Sequence, residues 1–250
     1  MLCHQEIPLK KVNQIETVTY VSAIARRWEK PLQQPADEIA RCLADVLKVA
    51  QRDRQRDPLL QSLWASVQIQ AAASGWLQFS LLAPGLSAWL VSLNQIPLQP
   101  DCDRIARRPP WQIQYVYGRC CSLLRRAAQQ QQISFCHPQS AASYQLQAAP
   151  DLFWQLRQVG LSGLATGERA LIHALIDAAD GYEQLSHALA AGCLKLAYAL
   201  SQAFELFYAA CSPWAGTPEQ RQLRLGLIRA VQAMLYRLSC PHLGALSSHL

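Results

Sequence analysis

The chain is poor in charge. Only 16% of its 250 residues are Asp, Glu, Lys or Arg, against about a quarter in an average globular protein. Its nine cysteines form no CxxC pair. The only close Cys/His neighbours, Cys136-His137 and Cys240-Pro241-His242, lack the spacing of a zinc site. That leaves the thiols as small hydrophobes in a reducing compartment, with no metal expected. Phosphate-cradling motifs are missing too. No GxGxxG follows a strand, and no GxxxxGK runs into Ser or Thr. The one Gly-rich patch, Gly160-Leu161-Ser162-Gly163, follows a helical stretch and has no lysine. GxSxG and HExxH do not occur. His173 and Asp177 stand four apart with Asp180 nearby, which a surface helix pair explains. His187 beside Ser186, and Glu183 and Glu205, have no neighbour within a turn suited to acid–base work. The expectation is a chain with no catalytic residue, no metal and no cofactor.

Long apolar runs are absent as well. The longest, Cys193 to Ala210, is interrupted by Lys195, Ser201, Gln202 and Glu205. That is the pattern of a buried helix in a soluble bundle and not of a membrane span. The opening MLCHQEIPLKKVNQ has no sustained apolar stretch of the signal-peptide kind. A soluble, cytoplasmic protein is expected.

Acid is missing locally. The whole chain carries a net charge of only +6, yet no Asp or Glu lies between Arg104 and Arg126. Within this span WQIQYVYGRCCSLLRR, Trp111 to Arg126, has two unlike faces at helical spacing. Ile113, Val116, Tyr117, Cys120, Leu124 and Ala127 form an apolar stripe fit for a core. Trp111, Tyr115, Arg119, Ser122 and Arg126 fall at steps of three or four along another side. Aromatic rings stack on bases and guanidinium groups pair with phosphates. Arg104, Arg107, Arg108 and Arg125 crowd the same region. The candidate RNA-binding residues are therefore Arg104, Arg107, Arg108, Trp111, Tyr115, Arg119, Ser122, Arg125 and Arg126. The same stretch, taken alone, also suits a half-buried amphipathic helix with a solvated arginine edge.

In chain order, residues 15–29 read as a helix through Ile15, Val18, Val21, Ile24, Ala25 and Trp28, stopped by Pro31. Pro35 opens a second helix with Asp37 and Glu38 in its first turn, where the helix dipole favours acids. Its apolar face is Ile39, Leu43, Val46, Leu47 and Ala50. QRDRQRDP from Gln51 reads as a charged loop. The period then drops to two. Val67, Ile69 and Ala71, then Leu77, Phe79 and Leu81, alternate with Gln and Ser across Ala73-Ser74-Gly75, which predicts a hairpin with one wet face. A short helix spans Leu86 to Leu93. The proline-broken, aperiodic residues 94–110 read as a linker.

Everything beyond reads as helical. After the Trp111 helix comes a polar loop over 133–150 and a short helix from Asp151 to Val159. A helix capped by Thr166 runs to Ala179, and a long one from about Glu183 to Cys211. Pro213 and Pro218 bracket the turn into a last helix, roughly Glu219 to Leu238. The predicted fold is mostly α. A small α+β domain (1–93) and a linker (94–110) precede an all-α antiparallel bundle (111–250).

At YVYGRCCSLLRRA, Tyr115 to Ala127, the sequence resembles the segment opening the DALR anticodon-binding domain of arginyl-tRNA synthetases. Tyr115, Arg119, Cys121, Ser122, Leu124, Arg125 or its neighbour, and Ala127 stand at matching positions. The likeness continues in order. Glu168, Leu171, Ile172 and Leu175 are similar to the family's E-x-x-L-I-x-x-L helix. Leu200, Phe204, Phe207 and Tyr208 are similar to its Y-L-x-x-L-A-x-x-F-N-x-F-Y segment. Arg224, Leu225 and Ala230 are similar to its closing helix. The first unit resembles the N-terminal domain of the same synthetases, with Gly75, Trp76, Leu77, Phe79 and Leu81 at that domain's strand positions. In the family this domain touches the tRNA elbow.

The departures are also plain. A synthetase carries its Rossmann core, with HIGH and KMSK signatures, between those two domains. Here only residues 94–110 stand in that place, and neither signature occurs. Without the groups that hold ATP phosphates, adenylate formation has no stabilisation. CPHLGALSSHL lacks the family's closing segment, whose last residues help read the anticodon, and Tyr115-Val116-Tyr117-Gly118 replaces Tyr-Ala-His-Ala.

The resemblance thus implies a synthetase paralogue that is not an enzyme and that binds tRNA or another RNA as its partner. The alternative is a protein-interaction or complex-assembly factor that kept the fold and lost the RNA. Its protein partner would be met through residues such as Trp28, Trp64, Trp89, Trp154 and Trp214.

Overall fold

The computed structural model describes residues 8–12, 14–51, 58–96, 98, 109–133, 152–185, 190–239 and 246. The chain divides into two compact units, Met1–Ala88 with Gly160–Ser162, and Trp89–Val159 with Gly163–Leu250. The fold is mostly helical, with one small sheet near the N-terminus, as the sequence predicts.

The first unit is built on that sheet. Strands β1 (Lys10–Val12), β2 (Val18–Ser22), β3 (Val67–Ala72) and β4 (Trp76–Leu81) lie antiparallel in the order β1-β2-β4-β3. The expected hairpin is β3–β4, in register Val67↔Leu81 and Ile69↔Phe79. Its turn places Ser74 (φ 61°) and Gly75 (φ 74°) in the left-handed region. A side chain at Gly75 would strike Ala36, so glycine is required there for space as well as for φ. β2 adds to the other side of β4, with Tyr20 opposite Phe79. Helices α1 (Ile24–Leu32) and α2 (Ala36–Ala50) pack together and cover one face of the sheet. Ile24, Ala25, Ile39, Ala40 and Ala44 meet Ile69, Leu77 and Phe79 there. The glutamines of β3 and β4 stay on the wet side, where Gln78 donates to Ser80 Oγ at 3.3 Å. α3 (Pro58–Ala65) leads into β3, and α4 (Ala83–Asn94) leaves β4.

The first half of the helix expected over residues 15–29 is strand. Val18-Thr19-Tyr20-Val21-Ser22 is β-branched and aromatic, stiff at χ1 and suited to a pleated surface. Its valines three apart imitate a helical stripe, but pairing with β1 and β4 decides the matter. Pro31 lies inside the last turn of α1 rather than beyond it. The helix ends one residue later, with Gln33 in the left-handed region. α2 forms as predicted, with Asp37 and Glu38 in its first turn. The charged residues 52–57 lie outside the described residues, as does most of the expected linker.

The second unit is a bundle of α5 (Trp111–Gln129), α6 (Trp154–Val159), α7 (Thr166–Gln184), α8 (Ala190–Ala210) and α9 (Pro218–Ser239). α9 packs against each of the other four. It is buried from Leu223 to Leu235 without a break, polar residues included. A helix buried nearly all round lies in the centre, and the others array themselves about it. Its start is a reciprocal capping box. Gln220 N–H donates to Thr217 Oγ1 at 3.3 Å, and Thr217 N–H to Gln220 Oε1 at 3.0 Å.

Thr166 does not cap α7. It is the first helical residue, and the cap comes from Glu168, whose carboxylate accepts the Ala165 N–H at 2.9 Å. α7 also runs on to Gln184, past the break expected after Ala179. Gly181 is inside it because a side chain there would meet Leu196 of α8 at 2.7 Å. That close approach of α7 and α8 uses glycine for space, not for a turn. None of the described helices is long and apolar enough to cross a membrane.

Candidate nucleic-acid interface

α5 forms because its residues suit both of its surroundings. Pro110 precedes it and is exempt from donating to a previous turn. Ile113, Val116, Tyr117, Cys120, Leu124 and Ala127 are buried against the bundle, as their spacing predicts, and so are Gly118, Cys121 and Leu123, which the stripe did not include. At 100° per residue, Trp111, Ser122, Tyr115, Arg126 and Arg119 fall within roughly an 80° arc on the outer side. Trp111 is 75% and Tyr115 40% exposed, and Ser122 and Arg126 are exposed as well. A tryptophan this open contributes nothing to the core, so its burial cannot explain its place.

Neighbouring elements complete this face with rings. Trp111 and Tyr115 meet edge to face, centroids 5.6 Å apart. One turn on, the Arg119 guanidinium lies 5.0 Å above the Tyr208 ring of α8, and its Nη2 donates to the Tyr208 hydroxyl at 2.6 Å. Beneath, Phe204 stacks on Tyr208 at 6.1 Å with the rings 13° from parallel. Two turns further, Arg126 lies 4.9 Å over the ring of Trp214, in the turn between α8 and α9. The result is a ridge of ring pair, stacked cation and stacked cation, about 22 Å long at 1.5 Å per residue. A guanidinium over a ring gains cation–π attraction and keeps N–H groups for a second partner, fewer at Arg119, whose Nη2 is taken by Tyr208 and whose Nε is buried. Glu205 sits near the Trp111 end, accepting from Gln112 at 3.4 Å. Negative charge is therefore better accommodated at the Arg119–Arg126 end than beside Glu205.

Not every expected residue joins the ridge. Arg125 is half-buried and close enough to Cys121 for its charge to act on that thiol. Arg104, Arg107 and Arg108 lie outside the described residues. Tyr208 and Trp214 were not among the residues read as RNA-binding. Tyr208 stood in the sequence only as a family match, and Trp214 only as a candidate for a protein-binding surface. Of the other tryptophans so assigned, Trp28 and Trp64 pack against the sheet's core, Trp89 is half-buried and Trp154 is 42% exposed.

Beneath α5 the chemistry is closed off. Arg229 of α9 is fully buried and donates to the Ile96 carbonyl at 2.9 Å. Burial pulls its pKa down to about 10, against the opposing pull of Tyr117 and the two thiols of α5. Burial pushes the Tyr117 hydroxyl and the Cys120 and Cys121 thiols upward. Gln232 donates to Cys121 Sγ at 3.0 Å. Thiols so placed stay protonated at neutral pH and are poor nucleophiles. Among the described residues no three His, Cys, Asp or Glu side chains gather as a metal site.

A second polar cluster supports the ridge. Arg224 Nε donates to Glu168 Oε1 at 2.7 Å, and its Nη1 to the carbonyls of Ser212 and Ala215 at 2.8 and 2.9 Å. Glu168 and Arg224 are both residues of the family resemblance, and in the fold they are a buried ion pair joining α7 to α9.

A search against curated proteins finds no match, and none of the solved structures matches. The model of the DALR anticodon binding domain matches residues 113–239, which is half of the chain and takes in all but the first two residues of α5 and the rest of the bundle through α9. The chain belongs to the DALR anticodon binding domain family.

Proposed function

We propose that this protein binds tRNA through the outer face of α5 and does not itself ligate amino acids. The observation that carries the reading is the ridge, on which an exposed aromatic pair is followed along one line by two guanidiniums lying over rings. Unpaired bases of an RNA loop stack on rings such as Trp111 and Tyr115, each base contributing about 1–3 kcal/mol. Arg119, Arg126 and the edge hydroxyl of Ser122 take the phosphates. Membership of a family of anticodon-binding domains supports tRNA over other RNA. Absence of HIGH and KMSK from the sequence supports a non-catalytic role, such as holding tRNA for a separate enzyme.

Fluorescence anisotropy with labelled tRNA transcripts across a salt series tests this. Binding at low salt is expected, with log K falling, for each tenfold rise in salt, by about 0.7 per phosphate contacted in single-stranded RNA. Arg119→Ala with Arg126→Ala is expected to lower both the affinity and that slope. No binding at low salt, or binding unchanged in the double variant, overturns the proposal. Affinity purification that yields a stoichiometric protein and no RNA favours an assembly factor instead.

A further inference from the structure

The ridge ends on Trp214, which lies in the turn between two helices and not within either of them. Such a turn has few backbone bonds of its own with which to hold a large ring in place. Here it is gripped from below. Arg224 Nη1 binds the carbonyls of Ser212 and Ala215, which flank Pro213 and Trp214. The Trp214 N–H also donates to Ser212 Oγ at 3.4 Å. Arg224 is in turn oriented by Glu168, and Glu168 by the Ala165 N–H at the start of α7. Glu168 is 2% and Arg224 9% exposed, and the bond between them is buried, while the bonds to the Ser212 and Ala215 carbonyls are partly buried. A capping box at Thr217 and Gln220 closes the far side of the turn. A continuous set of hydrogen bonds therefore runs from the start of α7 to the backbone on either side of the ring under Arg126.

Resting on the RNA-binding reading above, we propose that Glu168 and Arg224 are positioning residues for the RNA face. They hold the α8–α9 turn so that Trp214 presents Arg126 to phosphate. A planar, forked guanidinium fits three acceptors at once; an ammonium does not reproduce that geometry. Arg224→Lys keeps the charge opposite Glu168 and loses the grip on the turn.

The test uses the full chain labelled with 5-fluorotryptophan, the Trp214 fluorine line being assigned with Trp214→Phe. In Arg224→Lys, melted cooperatively to show that it is folded, the Trp214 line is expected to shift and broaden while the other lines hold. Affinity for tRNA is expected to fall about tenfold. Arg126→Ala is then expected to cost little more in that background, whereas Arg119→Ala keeps its full effect. Where Arg224→Lys does not fold, Glu168→Gln serves for the same measurements. An unmoved Trp214 line in a folded variant overturns the positioning role, and so does an Arg126→Ala effect that is the same in both backgrounds. Wild-type protein that binds no tRNA overturns instead the reading on which the proposal rests, and the fluorine line still judges the grip on the turn.

Discussion

Arginine is used in two opposite ways within the helical unit. On α5, Arg119 and Arg126 lie on the faces of Tyr208 and Trp214 at the surface. On α9, Arg224 and Arg229 are buried, and their guanidiniums bind backbone carbonyls and one carboxylate. Arg126 is exposed and gives little to stability, because water screens it and would solvate it as well, while Arg119 is half-buried with its Nε out of solvent. The buried pair is desolvated, so each bond it makes replaces one that water cannot supply. One residue type thus serves recognition outside and assembly inside, and only its surroundings tell the two apart.

The largest effect that sharpens this contrast is expected at Arg229. Arg229→Ala removes the donor to Ile96 and opens a cavity in a fully buried position. It should lower unfolding free energy by roughly 3–5 kcal/mol in urea denaturation. Next comes Glu168→Ala, which leaves Arg224 buried without its acid. A loss of about 3 kcal/mol is expected, measured the same way, and a loss under 1 would place that pair with the surface arginines. Arg126→Ala should change stability by no more than about 0.5 kcal/mol while weakening tRNA binding. Trp111→Ala should also leave the melting temperature unmoved, since the ring is 75% exposed. Its loss should appear only in RNA affinity, at about 1–2 kcal/mol.

The smallest effect is in pH. Cys120 and Cys121 have an ordinary pKa of 9.0, which burial raises in the fold. The folded state thus holds their protons where the unfolded chain releases them. Their contribution is fully present below pH 9 and is lost as pH rises through the folded values. Urea midpoints should decline between pH 9 and 10, and the decline should be shallower in Cys120→Ala.

Much of α5 is legible in the sequence because both of its faces are written at one spacing. Trp111, Tyr115, Arg119, Ser122 and Arg126 share a side whatever surrounds the helix, since helical geometry alone sets their directions. The β3–β4 hairpin is legible for a similar reason, a clean period of two around a glycine turn. β2 is not, because Val18, Val21 and Ile24 satisfy a helical period while the β-branched run satisfies a strand. The outcome rests on strands far away in sequence. Tyr208 lies 89 positions from Arg119, and nothing local in either stretch signals that a hydroxyl will meet a guanidinium there.

Local sequence by itself determined α2, the β3–β4 hairpin and which side of α5 faces outward, because propensity, capping and periodicity act within a few residues, whereas β2 and the helix Pro58–Ala65 were not legible there. Tertiary structure alone decided that Arg119 and Arg126 lie on rings, that Glu168 and Arg224 grip the Trp214 turn, and that Arg229 is buried. Each of those depends on helix packing that brings together residues from separate elements, where burial sets the strength of every polar bond.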